Sequence, residues 1–162
     1  MKSDNILIRE ATPDDVNDIF VLIKELAEFE KAPHEVENSP ELILRDGFGD
    51  NPLFTCFLAE MDGKVVGLAL YYFRYSTWKG KRLYLEDIVV NENYRGHGVG
   101  KLLFDKMISE AQRTDCNGMT FQVLEWNEPA INFYKKFGAN FDPEWINVSI
   151  TKAKINEWLN NK

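Results

Sequence analysis

Cysteine and histidine are scarce in this 162-residue chain, two of each, and glycine and proline together make only 16 positions. Cys56 and Cys116 are too few and too isolated for a disulfide framework or a metal-ligand spacing. Cys56 sits in an apolar run, which reads as a reduced, buried thiol and hence a reducing compartment. His34 and His97 stand without a Cys, His or carboxylate constellation of ligand spacing, so no metal site is expected. So little glycine and proline excludes collagenous and low-complexity classes. No run of 18 apolar residues is present to cross a bilayer, and the polar start Met1-Lys2-Ser3-Asp4-Asn5 lacks the apolar stretch of a signal peptide. The expectation is a cytoplasmic protein without a membrane partner. Positive charge is also in deficit: 19 basic residues face 26 acidic ones, a net charge of −7. That balance disfavours nucleic acid and mildly favours cationic partners such as amines.

What is plentiful is core material, with 44% of positions hydrophobic and 13% aromatic. A chain of this length then needs no metal or disulfide to fold, and a single domain over 1–162 is expected. Residues 5–9 read as a strand. Thr12-Pro13-Asp14-Asp15 is a helix start, followed at helical spacing by Val16, Ile19, Phe20, Ile23, Leu26 and Ala27. Glu41 to Arg45 adds a short helix before the break at Gly47-Phe48-Gly49. Residues 53–61 and 64–74 pair as a hairpin across Asp62-Gly63. A β-rich run, Arg82 to Val90, leads through glycines into a helix carrying Val99, Leu102, Leu103, Met107 and Ala111. The next run, Met119 to Leu124, then lies parallel to it, as strand, crossing helix and strand require. A helix opened by Pro129 and stopped by Gly138, a last strand from Trp145 to Thr151, and a closing amphipathic helix complete the α/β pattern: one mixed, mostly antiparallel sheet with a central parallel pair and helices on both faces.

Arg95-Gly96-His97-Gly98-Val99-Gly100-Lys101 falls between a strand and a helix. There the first helical amides have no intrahelical partner, and glycines let a ligand approach the backbone. Such a place suits a phosphate or pyrophosphate. A Walker loop would need Gly in place of Arg95 and Ser or Thr in place of Leu102, and a dinucleotide fingerprint would need Gly or Ala in place of Lys101. The remaining Arg-x-x-Gly-x-Gly arrangement resembles that of the GNAT superfamily of acetyl-CoA-dependent N-acetyltransferases. Tyr84-Leu85-Glu86-Asp87, Tyr94-Arg95-Gly96-His97-Gly98-Val99-Gly100, Glu125-Trp126-Asn127-Glu128-Pro129 and Asn132-Phe133-Tyr134 with Gly138-Ala139 are similar to the spermidine/spermine acetyltransferase group within it. Leu22 to Ala27 and Asp46 to Gly49 match as well, so the likeness covers nearly the whole chain.

The resemblance implies direct transfer of acetyl from acetyl-CoA to a primary amine of a small molecule, in a homodimer. It implies that Ile88, Val89 and Val90 hydrogen-bond the pantetheine through their backbones. Arg95, Gly96, His97, Gly98, Val99, Gly100 and Lys101 would wrap the pyrophosphate, and Asn127, Glu128, Pro129 and Ala130 would touch the coenzyme. On the amine side it singles out Phe29 and Glu30, and Thr120, Phe121 and Gln122, while Trp78 could pack on a methylene chain. Members that acetylate polyamines carry an acid two positions before the matching Trp. Here that position is Ser76, so Ser76-Thr77-Trp78-Lys79-Gly80 looks more like the branch that prefers thialysine and related amino acids.

The chemistry explains the side chains. An alkyl amine, with a pKa of about 10.4, is protonated at neutral pH and cannot attack a thioester, so a proton acceptor is required. Glu86, a carboxylate in an otherwise apolar strand, is the candidate base. Asp87 is equally acidic, but adjacent strand residues face opposite ways unless a bulge intervenes, and structural hydrogen bonds or a dimer contact remain the alternative for both. Tyr134 can donate a proton to the departing thiolate, and by resemblance it is the general acid and touches the coenzyme. By pattern alone, beside Phe133 and Phe137, it is equally a core aromatic. The Val89 N–H would polarise the thioester carbonyl if the strands diverge there. Glu25, Glu28, Glu30, Glu35 and Glu37 are either a collar for a cation or a solvated face. Two rival functions stay open at this level: a protein N-acetyltransferase of the same fold, and a non-catalytic coenzyme A binding module.

Overall fold

A computed structural model describes residues 5–161. The polar start, Met1 to Asp4, and the last residue lie outside it. The chain divides into two compact units, the first ending at Gln122 and the second beginning at Val123.

In the first unit, strands β1 (Ile6–Glu10), β2 (Thr55–Met61), β3 (Lys64–Ser76), β4 (Gly80–Val90) and β5 (Met119–Phe121) form one sheet in sequence order. Neighbours are antiparallel except β4 and β5, which run parallel, so the parallel pair stands at the β5 edge. The β2–β3 hairpin turns at Asp62 and Gly63, with φ of 52° and 75°, the left-handed pair that matches the twist of the strands.

Helices α1 (Val16–Phe29) and α2 (Pro40–Phe48) cover one face of the sheet. Ile19, Leu22 and Ile43 bury there against Cys56, Leu58, Leu68, Leu70 and Val89. The start of α1 is pinned rather than merely favoured. The Asp15 carboxylate accepts from the Thr12 N–H at 2.7 Å and from the Arg9 guanidinium at 2.8 Å, and Arg9 also donates to Glu60 across the sheet at 2.7 Å. These bonds hold the Asp15 carboxyl well below the usual carboxylate range. Burial pushes the Cys56 thiol up to about 12, which makes it an unreactive core residue.

Helix α3 (Val99–Arg113) packs on the opposite face, burying Val99, Leu103, Phe104 and Met107. A Cβ on Gly67 would meet Leu103 and Val99 side chains at 3.2 and 3.4 Å and the Val89 carbonyl at 2.9 Å, so the helix approaches the sheet as closely as it does only because β3 carries glycine there. Buried Glu110 on α3 gathers the Tyr71 hydroxyl at 3.2 Å, Arg113 at 2.6 Å and Lys106 at 2.9 Å.

Three expectations need correction. Helix α2 runs through Gly47 to Phe48 instead of breaking, because the Phe54 ring occupies the space a Cβ at 47 would fill and the glycine serves packing rather than a turn. Strand β5 ends at Phe121, short of Leu124. The segment Trp145 to Thr151 forms no strand: it has no ladder partner among the described residues, and Trp145, Ile146, Val148 and Ile150 are exposed. Alternating apolar residues give a segment β-propensity, but a strand exists only as part of a pair.

The second unit contains α4 (Glu128–Lys135) and α5 (Lys152–Asn160). Asn127 caps α4, its Oδ1 accepting the Ala130 N–H at 3.3 Å, with Pro129 in the first turn, and Gly138 turns the chain afterwards at φ 73°.

Candidate active site

The parallel pairing of β4 with β5 covers only Leu83 to Leu85 against Met119 to Phe121. From Glu86 to Val90 the strand continues without β5 beside it, so within the first unit no strand among the described residues pairs with that edge of its backbone. Which groups face that edge follows from the ladder to β3. The Asn91 N–H donates to the Val66 carbonyl at 2.8 Å, and the Val89 carbonyl lies against Gly67. In an antiparallel pair the peptide groups alternate in direction, so Val89 is turned toward β3 and Ile88 and Val90 away from it. The outward donor expected at Val89 is therefore supplied by its neighbour Ile88. The Val90 carbonyl accepts from Arg95 Nε at 3.1 Å.

A β-bulge lies at the same point. The register pairs Leu70 with Asp87 and Tyr71 with Leu85, leaving Glu86 as an extra residue. Simple alternation would have placed Glu86 and Tyr84 on one face and Asp87 on the other. The extra residue instead brings Asp87 onto the face of Leu70, Tyr72 and Tyr84. Glu86 is exposed, whereas Asp87 is largely enclosed. Burial, then the neighbouring Glu86 and Glu30 charges, push the Asp87 carboxyl up to about 7. Burial also raises Glu30, at the end of α1. Tyr72 is pushed up to about 12 by burial and by the negative charge of the nearby Glu86 carboxylate.

The loop after β4 is built as the sequence suggests. A single 3-10 turn, Glu92–Tyr94, precedes Gly96 and Gly98, with φ of 84° and 83°, and nothing lies within 4 Å of a Cβ at either position. Gly98 begins α3 and offers no side-chain cap, so the Val99, Gly100 and Lys101 amides are left without a side-chain acceptor from the cap, with the positive end of the helix dipole behind them. Lys101 is paired with Asp105 at 2.6 Å. The loop is tied to α1: Asn91 Nδ2 donates to both Glu25 oxygens at 3.0 Å, and the Arg95 guanidinium lies 5.1 Å from the Phe29 ring centre. Glu25 is thus a strut rather than part of an acidic collar.

Of the expected amine-side residues, Glu30 lies near Asp87, and the Thr120 hydroxyl accepts from Arg82 at 3.2 Å. Gln122 ends the unit. The Phe121 ring packs 5.8 Å from Phe104 of α3, on the face opposite Asp87, and Trp78 is exposed at the hairpin tip, about 20 Å along β4 from Glu86. Neither is brought to the carboxylates. In the second unit Tyr134 is 6% exposed, and burial pushes its phenol up to about 12, so it is a neutral proton donor near neutral pH. Asn127, Glu128, Pro129 and Ala130 form the capped first turn of the same helix. A cavity of about 640 Å³ lies along α5, lined by Ile150, Ile155, Trp158 and Leu159, and offers no acid–base pair suited to catalysis, since Glu157 is bridged to Lys154. Sequence reasoning missed Tyr72, Tyr84 and Arg74 around Glu86: their alternation was readable, but the cross-strand register was not. Among the described residues no cluster suits a metal ion, and no helix is long and apolar enough to cross a membrane.

A glycine-bearing loop at the head of a helix, opening beside a bulged strand that carries a carboxylate, is an arrangement that suits acyl transfer. The chain belongs to the acetyltransferase (GNAT) family, whose model matches residues 18–139, and it is an N-acetyltransferase rather than a non-catalytic module. It is 46% identical to the thialysine N-epsilon-acetyltransferase of Mus musculus over 140 residues, 82% of each chain. It is 45% identical to the human spermidine/spermine N(1)-acetyltransferase-like protein 1 over 143 residues, 84% of this chain and 21% of that one. An integron cassette protein from V. cholerae shares the fold, with a TM-score of 0.76 at 20% identity over 95% of this chain and 97% of that one.

Proposed function

We propose that the chain acetylates the terminal amine of a small diamine, polyamine or lysine-like amino acid, with acetyl-CoA as acetyl donor and Glu86 as the group that receives the amine's proton. The observation that carries this reading is the coincidence, within five residues of β4, of an exposed carboxylate at a bulge and a backbone edge with no strand partner in the first unit. The residues fit acetyl-CoA: the capless amides of Val99 to Lys101 and the open space over Gly96 and Gly98 suit a pyrophosphate, and the outward peptide groups of Ile88 and Val90 suit an amide-bearing arm. When bound, the coenzyme supplies an activated acetyl thioester. Ile88 N–H polarises its carbonyl, Glu86 takes the proton that otherwise blocks the nitrogen lone pair, and Tyr134 returns a proton to the sulfur that leaves. Asn127, Glu128, Pro129 and Ala130 contribute further coenzyme contacts.

The family match spans residues 18–139, which supports reading the chain as a single acetyltransferase domain in sequence. The relatives' names support a small amine over a peptide. The enzyme works in the cytoplasm as a homodimer on this reading, and a second copy would cover the exposed Trp145, Ile146, Val148 and Trp158. The test is release of coenzyme A from acetyl-CoA with diamines, polyamines, lysine, thialysine and peptide N-termini, alongside calorimetry of acetyl-CoA binding. Saturable binding with turnover on free amines is expected. Binding without turnover on any amine, or turnover on peptides alone, would overturn it.

A further inference from the structure

Between Val65 and Leu85, which is nearly the whole of the β3–β4 hairpin, the sequence carries Arg74, Lys79, Lys81 and Arg82 and no acidic residue, in a chain whose net charge is −7. The next two residues are Glu86 and Asp87. The hairpin therefore has a negative end at the bulge and a positive end toward its tip.

Side chains join the two ends along one face. The Tyr72 hydroxyl lies within electrostatic reach of Glu86, the Tyr72 and Tyr84 rings are 5.1 Å apart at an interplanar angle of 32°, and the Arg74 guanidinium lies 5.7 Å from the Tyr84 ring centre. Arg74 acts electrostatically on both tyrosines. Four residues of β3 separate the Leu70–Asp87 register from Arg74, about 13 Å. By folding back over Tyr84, two residues of register nearer the bulge, the guanidinium shortens that span. Lys79 stands at the hairpin tip, five residues of β3 and turn beyond Arg74, and the other two cations are committed. Arg82 donates to the Asn117 and Met119 carbonyls and to Thr120, and Lys81 donates to the Thr114 carbonyl while lying over the Phe73 ring. Arg74 is exposed, and among the described residues it has no carboxylate partner.

An acid, two tilted rings in contact and a cation in that order are complementary to a molecule with an amine at one end, an apolar chain in the middle and a carboxylate at the other. We propose that Arg74 holds the α-carboxylate of an amino-acid substrate while Glu86 faces its terminal amine, which makes Arg74 the residue that sets the choice between α,ω-diamino acids of lysine length and polyamines. The inference rests on the reading of the site as an amine acetyltransferase and names which amine it takes. A polyamine would set its second ammonium against Arg74 without the α-carboxylate that offsets the repulsion in a lysine-like substrate, and no acidic residue lies between Val65 and Leu85 to take its place.

The experiment compares Arg74→Gln with the unaltered enzyme on two pairs: lysine with cadaverine, and thialysine with its carboxyl-free diamine. For the amino acids KM should rise about tenfold or more, the loss of one charge-assisted contact, with kcat little changed. For the diamines KM should fall, because the repelling cation is gone. Arg74→Glu should carry the shift further and favour diamines outright. A purely structural Arg74 would move both members of a pair in the same direction, and that result, or no change in either, overturns the proposal while leaving acetyl transfer intact. An unaltered enzyme that turns over no small amine would overturn both this proposal and the reading beneath it.

Discussion

Replacing Asp87 by Asn should make the protein more stable, and the gain should depend on pH. The Asp87 carboxyl is pushed from its ordinary 3.8 to about 7 by burial, with the Glu86 and Glu30 charges adding to the effect. Below pH 3.8 the group is neutral whether the chain is folded or unfolded, and it contributes nothing. Between 3.8 and 7 the unfolded chain ionises and the folded one resists, so native stability falls as pH rises, and the full cost is present above 7. A shift of three units at about 1.4 kcal/mol each sets a ceiling of about 4 kcal/mol, and residual solvent contact of the carboxyl brings the expectation to about 2–4 kcal/mol. Asn keeps the shape and removes the charge. Denaturant or thermal unfolding of both proteins at pH 4 and pH 8 measures the difference. Near-equality at pH 4 and an advantage to Asn at pH 8, roughly 5–15 °C in Tm, are expected for a domain of this size. A variant equally or less stable at pH 8 would show that the carboxylate is compensated, and the reasoning about the bulge would fail. An enzyme keeps an uncompensated carboxylate at such a cost where function uses it.

Glu86→Gln should lower turnover most near neutral pH and lose progressively less as pH rises and free amine becomes available; a pH–rate profile parallel to that of the unaltered enzyme would remove Glu86 as the base. Tyr134→Phe should slow acetyl transfer by about 10–100-fold with acetyl-CoA affinity nearly intact, as single-turnover and binding measurements would reveal, and undiminished transfer would return Tyr134 to a packing role. Glu110→Gln should destabilise the fold by about 2 kcal/mol at neutral pH, since Arg113, then Lys106 and Tyr71, hold the Glu110 carboxyl down to about 2. That contribution is complete above the ordinary value of 4.5 and fades as pH falls toward 2, so unfolding curves of the two proteins should converge in acid.

The sequence by itself determined the local features: the helix begun at Thr12 to Asp15, the hairpin turn at Asp62-Gly63, the glycine loop leading into α3, the Asn127 cap and Glu86 as the acid in an apolar strand. Each is fixed by residues within a few positions of one another, through caps, left-handed glycines and side-chain periodicity, so a linear reading reaches it. Tertiary structure alone decided that the bulge puts Asp87 on the face of Tyr72 and Tyr84, that Ile88 rather than Val89 points its amide outward, that Gly47 makes room for Phe54, and that Trp145 to Thr151 has no ladder. These depend on pairing with strands and rings distant in the chain. A shift of one residue in register reverses which face a side chain occupies and which way a peptide points, and no local spacing reports where that shift falls.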